Sequence, residues 1–402
     1  MLKVGFHIIE LLVMLYMAFN VLYITIYAFS AYFYKHTDFS KLLLKKWNKF
    51  LVLVPAYQSD EIIINTVKQN LKQSYPSNKY HILVIADGLK KETINELIKH
   101  PISVIPVKFE ESSKAKSINT VLAITPDYEY DYTVIIDVDN IMHEKFLERM
   151  NLRLQNDEIV VQGHRMAKNL NTSFAILDGI SEEINNQIFR KGHIALGVSA
   201  ALSGSGKAVN FHFFKDSMKL IDSAVEDKEI EAVFLRNKIK ILYETDAIVY
   251  DEKVDSSAVF AKQRRRWIAS QFFDFNLFIF EGIYHLLFNK NFDYFDKALQ
   301  KILLPRILLY GLVTIFSITI FFDVFMFGNF FMVCFLLCTM SYIISTPPQY
   351  FNTKTLQAAF RVPQAFYLMV IALFRSKNAN KNFIHTKHQY ISETDKNGDN
   401  SN

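Results

Sequence analysis

The sequence predicts an α/β fold, a doubly wound and mostly parallel sheet, with flanking transmembrane helices. Three observations carry this. Leu51-Val52-Leu53-Val54, Ile82-Leu83-Val84-Ile85 and Thr133-Val134-Ile135-Ile136 are short, continuous and rich in β-branched residues, as buried strands of a parallel sheet are. Between the first two, Ile62, Ile63, Val67 and Leu71 recur on a helical period, and a second helix is expected over residues 117–124. Long apolar stretches lie near the two ends, whereas the middle has a mixed, charged, globular composition.

At the N-terminal end, residues 11–34 carry no charge, a run longer than the ~20 residues needed to cross a bilayer. Ala28-Phe29-Ser30 has the small residues of a cleavage site. A signal peptide's apolar core is only about 7–15 residues long, however, so residues 1–34 read as an anchor. Lys35, Lys41, Lys45, Lys46 and Lys49 follow, and the positive-inside rule then places the next segment in the cytoplasm.

Toward the other end, runs 307–322 and 325–344 are broken by Asp323 and closed by Pro347-Pro348. They are expected to form a transmembrane hairpin. The shorter run 366–374 reads as an interfacial helix, which keeps Arg375, Lys377 and Lys381 inside. The expected layout is therefore an anchor at 1–34, a cytoplasmic domain at 48–284, interfacial and transmembrane helices at 285–376, and a polar cytoplasmic tail at 377–402. That is a multi-pass protein of the inner or plasma membrane, with the lipid bilayer as a partner.

Charge and cysteine usage exclude several classes. A net charge of +5 is too mild for nucleic-acid binding and suits an anionic membrane surface. Cys334 and Cys338 share one face of an apolar helix and read as packing residues. His385 and His388 lack a third ligand for a metal.

In a doubly wound sheet, ligands bind beyond the carboxyl ends of the strands. There the first run leads into Pro55-Ala56-Tyr57, the second into Asp87-Gly88 and the third into Asp137-Val138-Asp139. Two apart at a strand end, Asp137 and Asp139 are expected to point to one side. Mg²⁺ or Mn²⁺ takes one or two carboxylates plus substrate phosphates, an arrangement that neutralises a departing nucleotide diphosphate. A solvated turn is the alternative.

Downstream, Val225-Glu226-Asp227 opens a helix-like stretch, where acidic residues also suit a helix N-terminus. Gln263-Arg264-Arg265-Arg266-Trp267 could attract acidic lipid; equally, Arg266 offers a fork for phosphate oxygens and Trp267 a flat face for a sugar ring. Gly204-Ser205-Gly206-Lys207 fails as an ATPase phosphate loop, because Ala201 stands where the first Gly is required and Ala208 replaces the Ser or Thr.

The order of these pieces resembles the family 2 glycosyltransferases, particularly the membrane-integrated branch of cellulose, hyaluronan, chitin and poly-N-acetylglucosamine synthases. Val54-Pro55-Ala56-Tyr57, Asp87-Gly88, Lys114-Ala115-Lys116-Ser117-Ile118-Asn119, Asp137-Val138-Asp139, Ser203-Gly204-Ser205-Gly206, Glu226-Asp227 and Gln263-x-x-Arg266-Trp267 carry the resemblance. It implies a GT-A-like domain in which Pro55, Ala56, Tyr57 and Asp87 bind the uridine of a UDP-sugar donor, with Lys114 nearby. Asp137 and Asp139 would hold nucleotide and metal, Mg²⁺ or Mn²⁺. Asp227, beside Glu226, would be the general base. Gly204 and Ser205 would face the acceptor, and Gln263, Arg266 and Trp267 would line the diphosphate and acceptor channel.

The implied reaction is an inverting transfer to a growing glycan, and hence polysaccharide synthesis, with export completed by partner proteins. Two other readings stay open: single-sugar transfer to a lipid-linked acceptor, and a non-catalytic scaffold on a decayed transferase. The chain departs from the family pattern at Gln58-Ser59, where Asn-Glu is usual, at Val225 and at Leu202-Ser203.

Overall fold

The three β-branched runs become neighbouring parallel strands in the computed structural model, which describes residues 2–39, 44–221, 226–322 and 327–374. Helix α1 (Leu2–Ser30) precedes β1 (Phe50–Tyr57), α2 (Ile63–Asn70), β2 (Tyr80–Asp87), α3 (Lys91–Leu97) and β3 (Ser103–Val107). Next come α4 (Lys114–Ile124), β4 (Tyr132–Ile135), β5 (Ile141–Met142), α5 (Phe146–Arg153) and β6 (Val160–Ala167). Helix α6 (Ser173–Asn185) runs through a π-helical segment (Asn186–Gly192) into α7 (His193–Ala195). Then follow β7 (Lys207–Asn210), α8 (Phe211–Met218), α9 (Glu226–Arg236) and β8 (Ile241–Asp251). The last helices are α10 (Ser257–Asn289), α11 (Phe292–Gln300), α12 (Arg306–Ile318), α13 (Gly328–Ser345), α14 (Thr353–Ala359) and α15 (Val362–Phe374).

These elements form two units. One gathers the described residues of Lys35–Asn169 and Ser199–Lys253, and with them the whole sheet. Its strand order is β3-β2-β1-β4-β7-β6-β8-β5. The expected parallel arrangement holds from β3 to β4, with Leu53 paired to Ile135 and Tyr57 to Asp87. Beyond β4 the sheet is mixed: β7 runs antiparallel to both β4 and β6, while β6 and β8 are parallel. Phe50, Val52, Val54, Val84, Val134 and Ala208 fill the core on one face against Ile63 and Val67 of α2.

Two expectations shift at this level. Helix α4 starts at Lys114 rather than at 117, because the Ser113 hydroxyl accepts from the Lys116 N–H and caps the helix earlier. The strand before the two aspartates stops at Ile135, and the Asn140 N–H bonds the Asp137 carbonyl in a turn. Asp137 and Asp139 are thus placed by that turn, and strand alternation does not set their directions.

The other unit gathers the described residues of Met1–Tyr34, Leu170–Val198 and Val254–Lys381. Its core packs Val21, Ile24 and Ala28 of α1 with Leu309 and Val313 of α12 and with Phe331, Cys334 and Cys338 of α13. Both cysteines are buried, as packing residues should be. The Tyr23 and Tyr27 hydroxyls each donate to Asp296 at 2.9 Å, and the His193 ring stacks on Tyr27 at 3.7 Å.

Two helices, His7–Phe33 and Gly328–Ser345, are long and apolar enough to cross a membrane. The first arm of the expected hairpin is shorter, an apolar helix over Arg306–Phe322. Helices α14 and α15, bent by 43°, pass the same test only as a pair, and the run expected to lie at the interface falls within the second of them. Lys41, Val225, Asp323 and everything from Arg375 onward, including His385 and His388, lie outside the described residues.

Candidate active site

The carboxyl ends of β1, β2 and β4 meet the turn before β7 and the start of α9, and most of the expected site residues collect there. At the β1–β2 rim, Ala56 pairs with Ala86 and Tyr57 with Asp87. Pro55 is half-buried, and Ala56 and Asp87 are buried. Burial pushes the Asp87 carboxyl above its ordinary value, partly offset by a hydrogen bond from Ser112. Asp60, in the loop that departs from the family pattern, accepts from the Lys90 N–H at 2.8 Å and the Thr93 hydroxyl at 2.6 Å. Its carboxylate therefore holds the start of α3.

Lys114 is the hub of the deeper part. Its ammonium donates to Asp137 at 2.6 Å, to the Gly204 carbonyl at 2.9 Å and to Glu226 at 3.0 Å. A lysine has three N–H donors, so all of Lys114's are spent on the protein. A cation in the first turn of a helix opposes the helix dipole; the two carboxylates offset that. Burial would lower the Lys114 pKa, but Asp137 and Glu226 outweigh it and hold the group above its ordinary range. Glu226 is pushed up by burial, against the pull of Lys114.

Gly204 marks where the chemistry-bearing groups converge. A Cβ there would sit 3.3 Å from the Lys114 ammonium, 3.7 Å from the Asp137 carboxylate and 3.9 Å from that of Asp227. Glycine leaves the space open. The turn is fixed from below: the Ser205 hydroxyl accepts from the Asp137 N–H at 3.0 Å, and Gly206 adopts φ +72°, where only glycine is unstrained. Gln162 accepts from the Ser203 N–H and donates to the Ser205 and Gly206 carbonyls, while Glu231 accepts from the Leu202 N–H.

The aspartate turn is strapped in the same way. The Thr66 hydroxyl donates to the Val138 carbonyl at 2.6 Å, and the Asn70 amide to the Asn140 carbonyl at 3.1 Å. The Asn140 amide donates to Asp251, which Arg165 and Lys253 also grip. None of Thr66, Asn70, Gln162, Glu231 or Asp251 stood out in the sequence, because a lone polar residue in a helix or strand carries no motif.

Asp139 is buried within this turn. Among the described residues no group of three or more His, Cys, Asp or Glu side chains is arranged to hold a metal ion. Two carboxylates on one turn nevertheless fit a hard cation that takes the rest of its shell from phosphate and water.

Gln263, Arg266 and Trp267 lie on α10, in the unit of the long apolar helices. On α10 the buried arginine is Arg264: it pairs with Asp178 and lies over the rings of Phe260, at 4.9 Å, and Trp267, at 4.2 Å. Arg266 is half-buried and Trp267 exposed. The Gln263 side-chain carbonyl is buried without a hydrogen-bond partner among the described residues.

Among curated proteins, the probable glycosyltransferase YdaM of Bacillus subtilis (strain 168) is 25% identical over 276 residues, covering 61% of this chain and 64% of the relative. The chain thus spans less than two thirds of that relative's length. Among solved structures it is similar to the mannosyltransferase PcManGT from Pyrobaculum calidifontis in complex with GDP-Man and Mn²⁺, at 13% identity and a TM-score of 0.47, covering 91% of this chain and 98% of that one. It is also similar to S. aureus TarS 1-349 in complex with UDP-GlcNAc, at 14% identity and a TM-score of 0.40, covering 83% and 90%. The family model described as "Glycosyltransferase like family 2" matches residues 48–270, more than half of the chain and the whole stretch from β1 to the Gln263–Trp267 motif. The chain belongs to that family.

Proposed function

We propose that this chain transfers a sugar from a UDP-sugar, with a divalent cation, to a glycan growing at the cytoplasmic face of the membrane, inverting the anomeric carbon and so making polysaccharide. The observation that carries the reading is the convergence at Gly204, where one open space is bordered by the Asp137 and Asp227 carboxylates and the Lys114 ammonium.

The roles divide by position. Pro55, Ala56, Tyr57 and Asp87, at the rim of β1 and β2, bind the nucleoside. Asp137 and Asp139 hold Mg²⁺ or Mn²⁺, which when bound stabilises the leaving diphosphate. Asp227 takes the proton of the acceptor hydroxyl as that oxygen attacks. Glu226, tied to Lys114, anchors the first turn of α9 and with it Asp227. Gly204 leaves room for the reacting groups and Ser205 fixes the backbone of Asp137. Arg266 offers its guanidinium to phosphate oxygens and Trp267 its ring to a sugar, with Gln263 beside them, on the strength of the motif alone. The lysines after α1 favour the cytoplasmic side for this domain, and the two long apolar helices favour anchorage in the bilayer.

Membranes carrying the protein test the reading when supplied with a panel of UDP-sugars and analysed for product. The expected outcome is a metal-dependent glycan whose new linkage has the opposite anomeric configuration to the donor. A product that retains the donor's configuration would rule out direct displacement.

A further inference from the structure

The phosphate-loop resemblance at Gly204-Ser205-Gly206-Lys207 failed on its own terms, yet its lysine needs an explanation. Lys207 opens β7 in the middle of the sheet, paired with Ile135 on one side and Gln162 on the other, and is only 2% exposed. Its neighbour Ala208 belongs to the apolar core with Val134 and Val161, so strand alternation turns Lys207 to the opposite face. There it lies in the field of Lys114, Glu226, Asp227 and Asp137.

Its bonding contrasts with that of Lys114. Every N–H of Lys114 is used, whereas among the described residues the Lys207 ammonium has no hydrogen bond or ion pair, only longer-range electrostatic partners. Burial, joined by Lys114, pushes it below the ordinary lysine value. A lysine this enclosed disfavours its own charge unless an anion meets it. A fold brace would be hydrogen-bonded. The surrounding carboxylates are committed elsewhere: Glu226 and Asp137 to Lys114, and Asp227, on the reading above, to the acceptor proton.

Resting on that reading, we propose that Lys207 is a catalytic residue whose ammonium receives negative charge from the departing diphosphate of the donor. As the acceptor oxygen bonds to the anomeric carbon, the bond from that carbon to the β-phosphate oxygen breaks. The acceptor's proton passes to Asp227 and the electron pair leaves with UDP. Lys207 neither gives nor takes a proton; its fixed charge meets the charge that develops on the diphosphate. The sheet thereby carries a cation for the leaving group, in addition to what the aspartate turn supplies.

The test compares UDP with UMP, which lacks the β-phosphate, by calorimetry on the full-length protein in detergent. Lys207→Met is expected to weaken UDP at least tenfold while leaving UMP within about threefold, and to lower kcat. Lys207→Arg, which keeps the charge, is expected to retain most of the preference for UDP. If Lys207→Met does not fold, Lys207→Gln carries the same comparison. Equal affinities for UDP in wild type and variant, or parallel losses for UDP and UMP, would overturn the proposal while leaving the transferase reading intact. A wild-type protein that binds neither nucleotide would remove both.

Discussion

At the residue scale, Lys114 makes the clearest prediction. It joins α4, the aspartate turn, the Gly204 carbonyl and the start of α9 through a single ammonium. Replacing it with Met leaves Glu226 buried without its cation, a kind of change that typically costs about 3–5 kcal/mol. The melting temperature of Lys114→Met should fall by several degrees, and a melt indistinguishable from wild type would show the hub to be dispensable. Gly204→Ala tests the open space: its methyl would crowd the Lys114 ammonium at 3.3 Å. Turnover should drop at least tenfold while thermal stability changes little. Asp139→Ala should weaken UDP binding in Mn²⁺ and leave binding in EDTA unchanged, as calorimetry in the two buffers would report.

The place of this candidate site in the fold was legible in the sequence. Asp87 and Asp137 stand at the carboxyl ends of β2 and β4, where doubly wound sheets place ligands, while the Gly204 turn leads into β7. What could not be read was the partnering. The resemblance placed Lys114 near the nucleoside, and nothing in its motif announced that its donors go to Asp137, the Gly204 carbonyl and Glu226. Lys207 was noticed only as part of a failed phosphate loop. A sequence shows a residue's type and its distance along the chain, whereas burial and unspent donors exist only once strands from distant segments are paired.

At the element scale, two capping and packing details are open to measurement. The Ser113 hydroxyl caps α4 directly before Lys114, and Ser113→Ala should cost about 1 kcal/mol. Because the cap sets where Lys114 sits, turnover should fall more than stability does. In the other unit, a Cβ on Gly192 would come within 2.1 Å of the Tyr27 carbonyl and 3.1 Å of the Ser30 hydroxyl. Gly192→Ala must therefore push α1 away from the π-helical segment. A loss of about 1–3 kcal/mol is expected, read as a lower melting temperature in detergent.

Strands β1, β2 and β4 were legible because each holds a continuous run rich in β-branched residues, whereas β3 and the parallel pair β6 and β8 hold none. The antiparallel β7 was not, since it has four residues and begins with the lysine. The π-helical segment was equally hidden: its place is set by the Tyr27 backbone and by His193, whose partners Tyr23, Tyr27 and Asp296 are far apart in sequence.

At the scale of the whole molecule, the two long helices were legible in the apolar stretches near the ends, because uncharged length is visible without any fold. The grouping of Leu170–Val198 with them was not visible. Its helix α6 buries Phe174, Asp178, Glu182 and Glu183, a mixture that reads as globular, and the partners of those charges include Arg264, at a distance in sequence. Alkaline extraction should leave the protein in the membrane pellet, as the proposed anchorage by two long apolar helices requires.

The central claim is metal-dependent transfer with Asp227 as base, and UDP release from membranes tests it most directly. A panel of UDP-sugars would be offered in Mn²⁺, Mg²⁺ or EDTA, with Asp227→Asn alongside wild type. Release with one donor is expected, abolished by EDTA and reduced at least a hundredfold in Asp227→Asn while that variant still binds UDP. Near-normal release by Asp227→Asn, or release unaffected by EDTA, would contradict the account.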